Sequence, residues 1–111
     1  MTKIATVEST SPSWFLYVIE TAHGNLYTGI TTDVRRRYKE HCDQSAKTAK
    51  ALRGKAPLSL RFVCVLNSHS DALKAEIWLK KQRRKIKERI INQQLSIPFE
   101  HNPLTQLVDC K

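Results

Sequence analysis

The clearest hydrophobic pattern in the chain is a pair of short apolar runs near its start. The first, Trp14–Glu20, reads W-F-L-Y-V-I-E and is rich in aromatic and β-branched residues, which favour a strand. Its apolar residues occupy both odd and even positions, so both faces of this strand are expected to be buried. The second run, Leu26–Thr31, reads L-Y-T-G-I-T, and a three-residue loop ending in Gly24 predicts an antiparallel hairpin.

The loop length decides which hairpin residues face each other. With a three-residue loop, Tyr17 lies opposite Gly29, and Tyr27 becomes the diagonal neighbour of Tyr17 on the same face. Gly29 has no side chain and leaves room beside the Tyr17 ring. A two-residue loop would instead place the two tyrosines on opposite faces.

Helical spacing begins directly after the hairpin. Thr32 is the expected N-cap of the first helix. Val34 and Tyr38 lie four residues apart and form its apolar pair. Arg37 and His41 are also four apart, so they share another face of the helix.

The second half of the chain predicts one strand and a broken helix. Residues 60–66 read as a third strand. The gap before it is too long for a hairpin connection, so a helix must fill part of it, with residues 46–52 as the candidate. A later helix is expected to open at Ser70 and to break near Arg83. Its apolar stripe consists of Ala72, Ala75 and Leu79.

These elements predict an α/β (α+β) fold, with a small three-stranded antiparallel sheet flanked by three to five helices. A chain of 111 residues is long enough for one domain with its own core. We expect a flexible tail at residues 1–12, the domain at 13–94 and an irregular tail at 95–111. No run approaches the ~20 apolar residues of a membrane span, and no signal peptide is recognisable, so we expect a cytoplasmic protein without a membrane partner.

The cysteine pattern agrees with a reducing compartment. The three cysteines, Cys42, Cys64 and Cys110, are widely spaced and form no C-x-x-C pair. We therefore expect no zinc site, no disulfide framework and no disulfide-linked partner.

The net charge of the chain narrows the range of expected binding partners. The chain has 19 Lys and Arg residues against 10 Asp and Glu residues, a net charge of +9. Such an excess favours a polyanionic partner, most often nucleic acid. The basic residues concentrate around residues 47–55 and in residues 80–87, where six of eight positions are basic. The alternative for both segments is a solvated surface.

Two tyrosine triplets carry a family resemblance. Residues 15–17 read F-L-Y and residues 27–29 read Y-T-G, with the tyrosine spacing of the GIY-YIG endonuclease family, which the chain resembles over about residues 13–92. Neither triplet is spelled in full, since Phe15 and Leu16 replace the glycine and isoleucine of the first. The closest likeness is to the small stand-alone bacterial subfamily (YhbQ-like).

The resemblance extends to residues outside the hairpin. Residues 32–41 resemble the family's arginine helix, with Arg37 in the arginine position and His41 one turn later. Glu76 resembles the metal-binding glutamate, and Asn92 is the candidate counterpart of a late asparagine. The implied nucleic-acid contacts are Arg35, Lys50, Arg53, Lys55, Lys80, Arg83 and Lys87.

The resemblance implies an endonuclease that hydrolyses DNA, or RNA, in repair or processing, with Mg²⁺ or Mn²⁺ held by Glu76. Arg37 would clamp the phosphate, because its planar fork suits phosphate oxygens. Tyr27 would position or activate water with Tyr17 as its hydrogen-bonding neighbour. His41 is either an alternative base or a phosphate contact, and Glu76 could instead form a simple ion pair with Lys80.

The sequence is also compatible with two other functions: a nucleic-acid-binding module without useful catalysis, and an interaction protein that binds acidic partners. The nuclease hypothesis requires the two rings, Arg37 and Glu76 to converge on one pocket. A helix that placed Glu76 across the sheet from the rings would contradict it.

Overall fold

The computed structural model describes residues 13–99 and the backbone of residues 101–103. The described elements, in chain order, are β1 (Trp14–Glu20), β2 (Leu26–Thr31), α1 (Val34–Cys42), a 3₁₀ turn (Lys50–Leu52), β3 (Ser59–Leu66), α2 (His69–Lys80), α3 (Arg84–Ile91) and β4 (His101–Pro103). The predicted α+β architecture is confirmed. The expected N-terminal tail, residues 1–12, and the chain from residue 104 onward lie outside the described residues.

The sheet is antiparallel, with strand order β2-β1-β3-β4. The three predicted strands form its main part. The fourth, His101–Pro103, pairs with the end of β3 inside a segment that was expected to be irregular. A three-residue strand ending in proline has no hydrophobic alternation, so the sequence gives no signal for it.

The β1–β2 hairpin has the predicted register. The Thr21 N–H donates to the Asn25 carbonyl at 2.9 Å, and Gly24 has a φ of +86° in the loop. Tyr17 lies opposite Gly29, as the three-residue loop requires. Both tyrosines therefore face the same side of the sheet.

Two apolar clusters cover the two faces of the sheet. On one face, α2 and α3 pack on the even-numbered residues of β1, including Leu16 and Val18. On the other face, α1 packs on the odd-numbered residues Tyr17 and Ile19. Because β1 is buried on both sides, its mixed apolar pattern is explained. We call the α1 side the ring face and the α2–α3 side the opposite face.

Both predicted helix starts were wrong by one or two residues. The N-cap of α1 is Asp33 rather than Thr32, and that of α2 is Ser68 rather than Ser70. In each case the capping side chain accepts a hydrogen bond from the backbone N–H three residues later, at 3.0 and 3.1 Å. Several neighbouring residues had capping side chains, so residue preference alone could not choose between them.

Three other details differ from or refine the predictions. Only Lys50–Leu52 of the expected helix at residues 46–52 is helical, as a 3₁₀ turn. Cys64 is fully buried, and burial raises the pKa of its thiol to about 12. Cys42 is disulfide-bonded, whereas reduced thiols were expected. The pairing could not be predicted, because sequence spacing does not show which cysteines meet in space.

None of the helices in the described part of the chain combines the length and the apolar character that a membrane span requires.

Candidate active site

Three aromatic rings from three elements meet on the ring face. Tyr17 comes from β1, Tyr27 from β2 and His41 from α1. The ring centroids are 6.2 Å apart for the tyrosine pair, 6.1 Å for Tyr17 and His41, and 5.9 Å for Tyr27 and His41. The hairpin register and the turn at the start of α1 therefore bring together residues that are up to 24 positions apart in sequence.

His41 is held by hydrogen bonds at both ring nitrogens. Its Nε2 lies 3.1 Å from the Tyr17 hydroxyl, and its Nδ1 accepts the Ala49 backbone N–H at 3.5 Å, a long contact. Because a nitrogen that accepts an N–H keeps its lone pair, the proton of the neutral imidazole belongs on Nε2. His41 then donates that proton to the oxygen of Tyr17.

The environment keeps His41 neutral. Burial, followed by the nearby Arg37 cation, lowers the pKa of His41 to about 4. The side chain is fully buried, and both nitrogens are engaged. It is therefore poorly placed to take a proton from a water molecule, which speaks against His41 as the general base.

Tyr17 is a buried phenol that keeps its proton. Burial and then the neighbouring Tyr27 raise the pKa of Tyr17 above its usual value, while Arg37 acts in the opposite direction. An alanine at Gly29 would place its Cβ 2.5 Å from the Tyr17 oxygen and 2.6 Å from its Cζ. The absence of a side chain at Gly29 is thus what lets the Tyr17 ring lie across β2.

Arg37 lies on the same side of α1 as His41. It donates to the Glu40 carboxylate at 3.0 Å and to the Lys47 carbonyl at 2.7 Å, both through Nη1. Its pKa is raised: burial alone would lower it, but hydrogen bonding to Glu40 and the proximity of Tyr17 outweigh burial. A guanidinium has five N–H groups, so others remain for a phosphate. Glu40, whose pKa Arg37 lowers, is committed to that ion pair rather than to a metal.

Glu76 is not brought to the rings on a shared face. It lies on α2, which packs against the opposite face through Ala72, Ala75 and Leu79. Its carboxylate lies 3.3 Å from the Lys80 ammonium. However, α2 packs on both β1 and the edge strand β2, which carries Tyr27. Within the described sheet β2 is the edge strand, so the direct approach from Glu76 to the rings runs past it.

The donor set suits one kind of metal site. Between residues 13 and 99, no three His, Cys, Asp or Glu side chains are grouped to hold an ion. Mg²⁺ needs no such cage, since it keeps several waters and binds one or two carboxylates together with substrate phosphate. Glu76, with an 18% exposed side chain and one lysine partner at 3.3 Å, provides one hard oxygen ligand of this type.

The predicted nucleic-acid contacts separate into two groups. Those around α1 and the 3₁₀ turn lie on the ring-face side, namely Arg35, Lys50, Arg53 and Lys55. Those around α2 and α3 lie on the opposite-face side, namely Lys80, Arg83 and Lys87. This separation could not be predicted from the sequence, because the two segments differ little in composition.

The candidate Asn92 lies outside the ring cluster. Asn92 is the exposed C-cap of α3 and lines a small charged pocket with Glu20 and Arg84, and no tyrosine lines that pocket. His69 stacks on Trp14 with ring centroids 4.1 Å apart. The contacts through the Ala49 and Lys47 backbone could not be predicted either, because every residue type carries the same backbone groups.

Several known proteins are similar to this chain. The family model of the GIY-YIG catalytic domain matches residues 13–90. The UPF0213 protein YhbQ of Escherichia coli O127:H6 is 54% identical over 78 residues, which cover 70% of this chain and 76% of that protein. The UPF0213 protein PC1_0597 of Pectobacterium carotovorum subsp. carotovorum is 49% identical over 83 residues, covering 75% and 82%. The solution NMR structure of the UPF0213 protein BH0048 from Bacillus halodurans matches with a TM-score of 0.49 and 34% identity, covering 74% of this chain and 85% of that one.

Proposed function

Because the chain belongs to the GIY-YIG family, we propose that it is a metal-dependent endonuclease that hydrolyses DNA phosphodiester bonds. The observation that best supports this proposal is the meeting of Tyr17, Tyr27, His41 and Arg37 on one face of the sheet. Such a hydrolase would fit a role in DNA repair or processing.

Each residue of the cluster has a distinct task in this proposal. Tyr27 is the only one of the three rings that is not fully buried, so it is the one that positions the attacking water. Tyr17 and His41 hold Tyr27 in place through the ring contacts, with His41 acting as a positioning residue. Arg37 binds the phosphate oxygens and stabilises the negative charge that grows on them in the transition state.

Glu76 is the proposed ligand for Mg²⁺ or Mn²⁺. When bound, such an ion would supply positive charge to the phosphate and to the leaving oxygen. The single carboxylate leaves the remaining coordination positions for water and substrate. The nucleic acid would therefore complete the site.

A second function has a specific observation in its favour. The helix that carries Glu76 packs on the opposite face from the rings, which is the placement expected to contradict the nuclease hypothesis. The nuclease proposal therefore requires the Glu76 carboxylate to reach the rings past the edge strand β2, and without that approach the chain binds nucleic acid but does not complete a catalytic site. In that case it would be a binding module of the same fold. The two functions differ in one measurable property, which is cleavage in the presence of a divalent metal.

The test is a nicking assay on supercoiled plasmid, combined with a gel shift in the presence of EDTA. The parent should nick DNA with Mg²⁺ or Mn²⁺. Arg37→Ala and Glu76→Ala should abolish nicking, whereas Glu76→Ala should still bind DNA. Glu88→Gln is the matched control, because it removes another α-helical glutamate that pairs with a basic residue four positions away.

Two results would contradict the proposal. If both Arg37→Ala and Glu76→Ala nick as fast as the parent, the site is assigned wrongly. If the parent binds DNA but nicks neither DNA nor RNA with either metal, the binding-module function is correct.

A further inference from the structure

Sixteen of the 19 Lys and Arg residues lie in two segments that flank the two sides of the sheet. Residues 33–55, on the ring-face side, contain eight Lys and Arg residues against three Asp and Glu residues. Residues 69–92, on the opposite-face side, also contain eight against three. Each side therefore has a net charge of +5, and the sheet and its two apolar clusters lie between them.

Most of the cations on the opposite face have no acidic partner. Lys80 pairs with Glu76, and Arg84 pairs with Glu20 and Glu88. The others make no ion pair with any described residue, and all except the half-buried Lys87 are exposed. They are Lys74, Lys81, Arg83, Lys85, Lys87 and Arg89.

This arrangement costs stability in the free protein. Lys85 and Arg89 are four residues apart on α3, where like charges repel. No acidic residue occupies the first turn of α3 to offset them. A phosphate backbone laid across α2 and α3 would turn this repulsion into attraction and would release counterions from the nucleic acid.

The ring face has a similar set of unpaired cations. Arg37 and Lys39 have carboxylate partners on α1. The remaining basic residues of this side make no ion pair with a described residue, and they are Arg35, Arg36, Lys47, Lys50, Arg53 and Lys55. One nucleic-acid segment laid over the rings would therefore leave the cations of the opposite face unneutralised.

We propose that the protein binds two duplex segments of nucleic acid at once, one on the ring face and one across α2 and α3. The proposal rests on the nucleic-acid part of the proposed function and not on cleavage. The molecule is 23 Å across in its shortest dimension, whereas the Debye length is about 8 Å at physiological ionic strength. Repulsion between the two segments is therefore screened. The substrate class that fits is nucleic acid with two closely spaced duplex arms.

A two-duplex capture assay tests this inference. One duplex is immobilised, the protein is added in EDTA so that no cleavage occurs, and a fluorescent second duplex is supplied. The parent should retain the fluorescent duplex. Two triple variants each remove one surface: Lys81→Gln/Lys85→Gln/Arg89→Gln on the opposite face, and Arg35→Gln/Lys50→Gln/Arg53→Gln on the ring face.

Each triple should still bind the immobilised duplex through its intact face. Loss of one of two equal faces halves the number of sites, so affinity for a single duplex should fall about twofold. Both triples should fail to retain the fluorescent duplex. The parent should bind a three-way junction more tightly than a linear duplex, and the opposite-face triple should lose this preference.

Three outcomes would overturn the inference. The first is that the parent does not retain the second duplex. The second is that capture survives in the opposite-face triple, which would mean that two copies of the chain bridge the duplexes through their ring faces. The third is that either triple loses nearly all binding, which would mean that the two faces form one continuous surface. Because the assay contains no metal, failure to cleave DNA leaves its result unchanged, and a nuclease that does not bridge would refute only this inference.

Discussion

Replacing Gly29 with alanine would place a methyl carbon where the Tyr17 ring now lies. The new Cβ would be 2.5 Å from the Tyr17 oxygen and 2.6 Å from its Cζ, much closer than non-bonded atoms approach. Tyr17 is only 2% exposed and is packed between β2 and α1, so its ring has little room to move aside. Any movement would lengthen the 3.1 Å contact with His41.

Two effects of Gly29→Ala oppose each other. An added methyl group in a packed site costs typically about 1–3 kcal/mol of unfolding free energy. Restricting the unfolded chain by replacing glycine returns about 0.4–1 kcal/mol. The steric cost is larger, so we expect a net loss of roughly 1–2 kcal/mol. This corresponds to a melting temperature lower by about 4–8 °C for each kcal/mol in a domain of this size.

The assay combines thermal unfolding with nicking at a temperature at which the variant is fully folded. Gly24→Ala is the matched control, because an alanine Cβ at that position meets no atom within 4 Å. Its φ of +86° should cost about 1–2 kcal/mol of stability without moving Tyr17. Gly24→Ala should therefore nick normally when folded, whereas Gly29→Ala should lose at least tenfold. If Gly29→Ala matches the parent in both stability and nicking, our account of the Tyr17 position is wrong.

Three further predictions concern stability and reactivity. Tyr38→Phe removes the 3.1 Å hydrogen bond to the buried Leu58 carbonyl and should cost about 0.5–1.5 kcal/mol in urea unfolding, with nicking unchanged; no loss of stability would count against that bond. The pKa of His41 falls from 6.5 to about 4 on folding, so the unfolded chain binds more protons than the folded chain between these pH values. The contribution of neutral His41 to the free energy of unfolding is therefore fully present above pH 6.5 and should fall by on the order of 3 kcal/mol as the pH approaches 4. His41→Gln should flatten this dependence in urea titrations across pH 4–7.5, and an equal slope in both proteins would contradict it. The buried Cys64 thiol, with a pKa raised to about 12, should react with a thiol reagent only after unfolding; rapid labelling of the folded protein at this residue would show that it is accessible.

The hairpin shows how much the sequence can determine. A loop of fixed length and a side-chain period of two leave one register for Tyr17 and Tyr27, and the structure has that register. The same logic places Arg37 and His41 on one side of α1, because a helix repeats nearly every four residues. Local rules sufficed because these residues lie within 25 positions of one another.

The position of Glu76 relative to the rings could not be predicted from local sequence patterns. The apolar stripe of α2 shows which side of the helix is buried, but not against which face of the sheet. That choice depends on the connection through residues 67 and 68, which has no periodic signature, and on the packing of α3 against the same face. The disulfide at Cys42 was missed for the same reason, since a long-range pairing has no local pattern.

The most direct test of the central claim is to locate a bound metal relative to the rings. Mn²⁺ broadens NMR signals of nearby protons, so a titration with Mn²⁺ and a short uncleaved DNA duplex can be followed at the ring signals of the tyrosines. Our account predicts strong broadening at Tyr27 that disappears in Glu76→Gln. If the Tyr27 signals stay sharp, or broaden equally without the Glu76 carboxylate, the rings and the metal do not form one site.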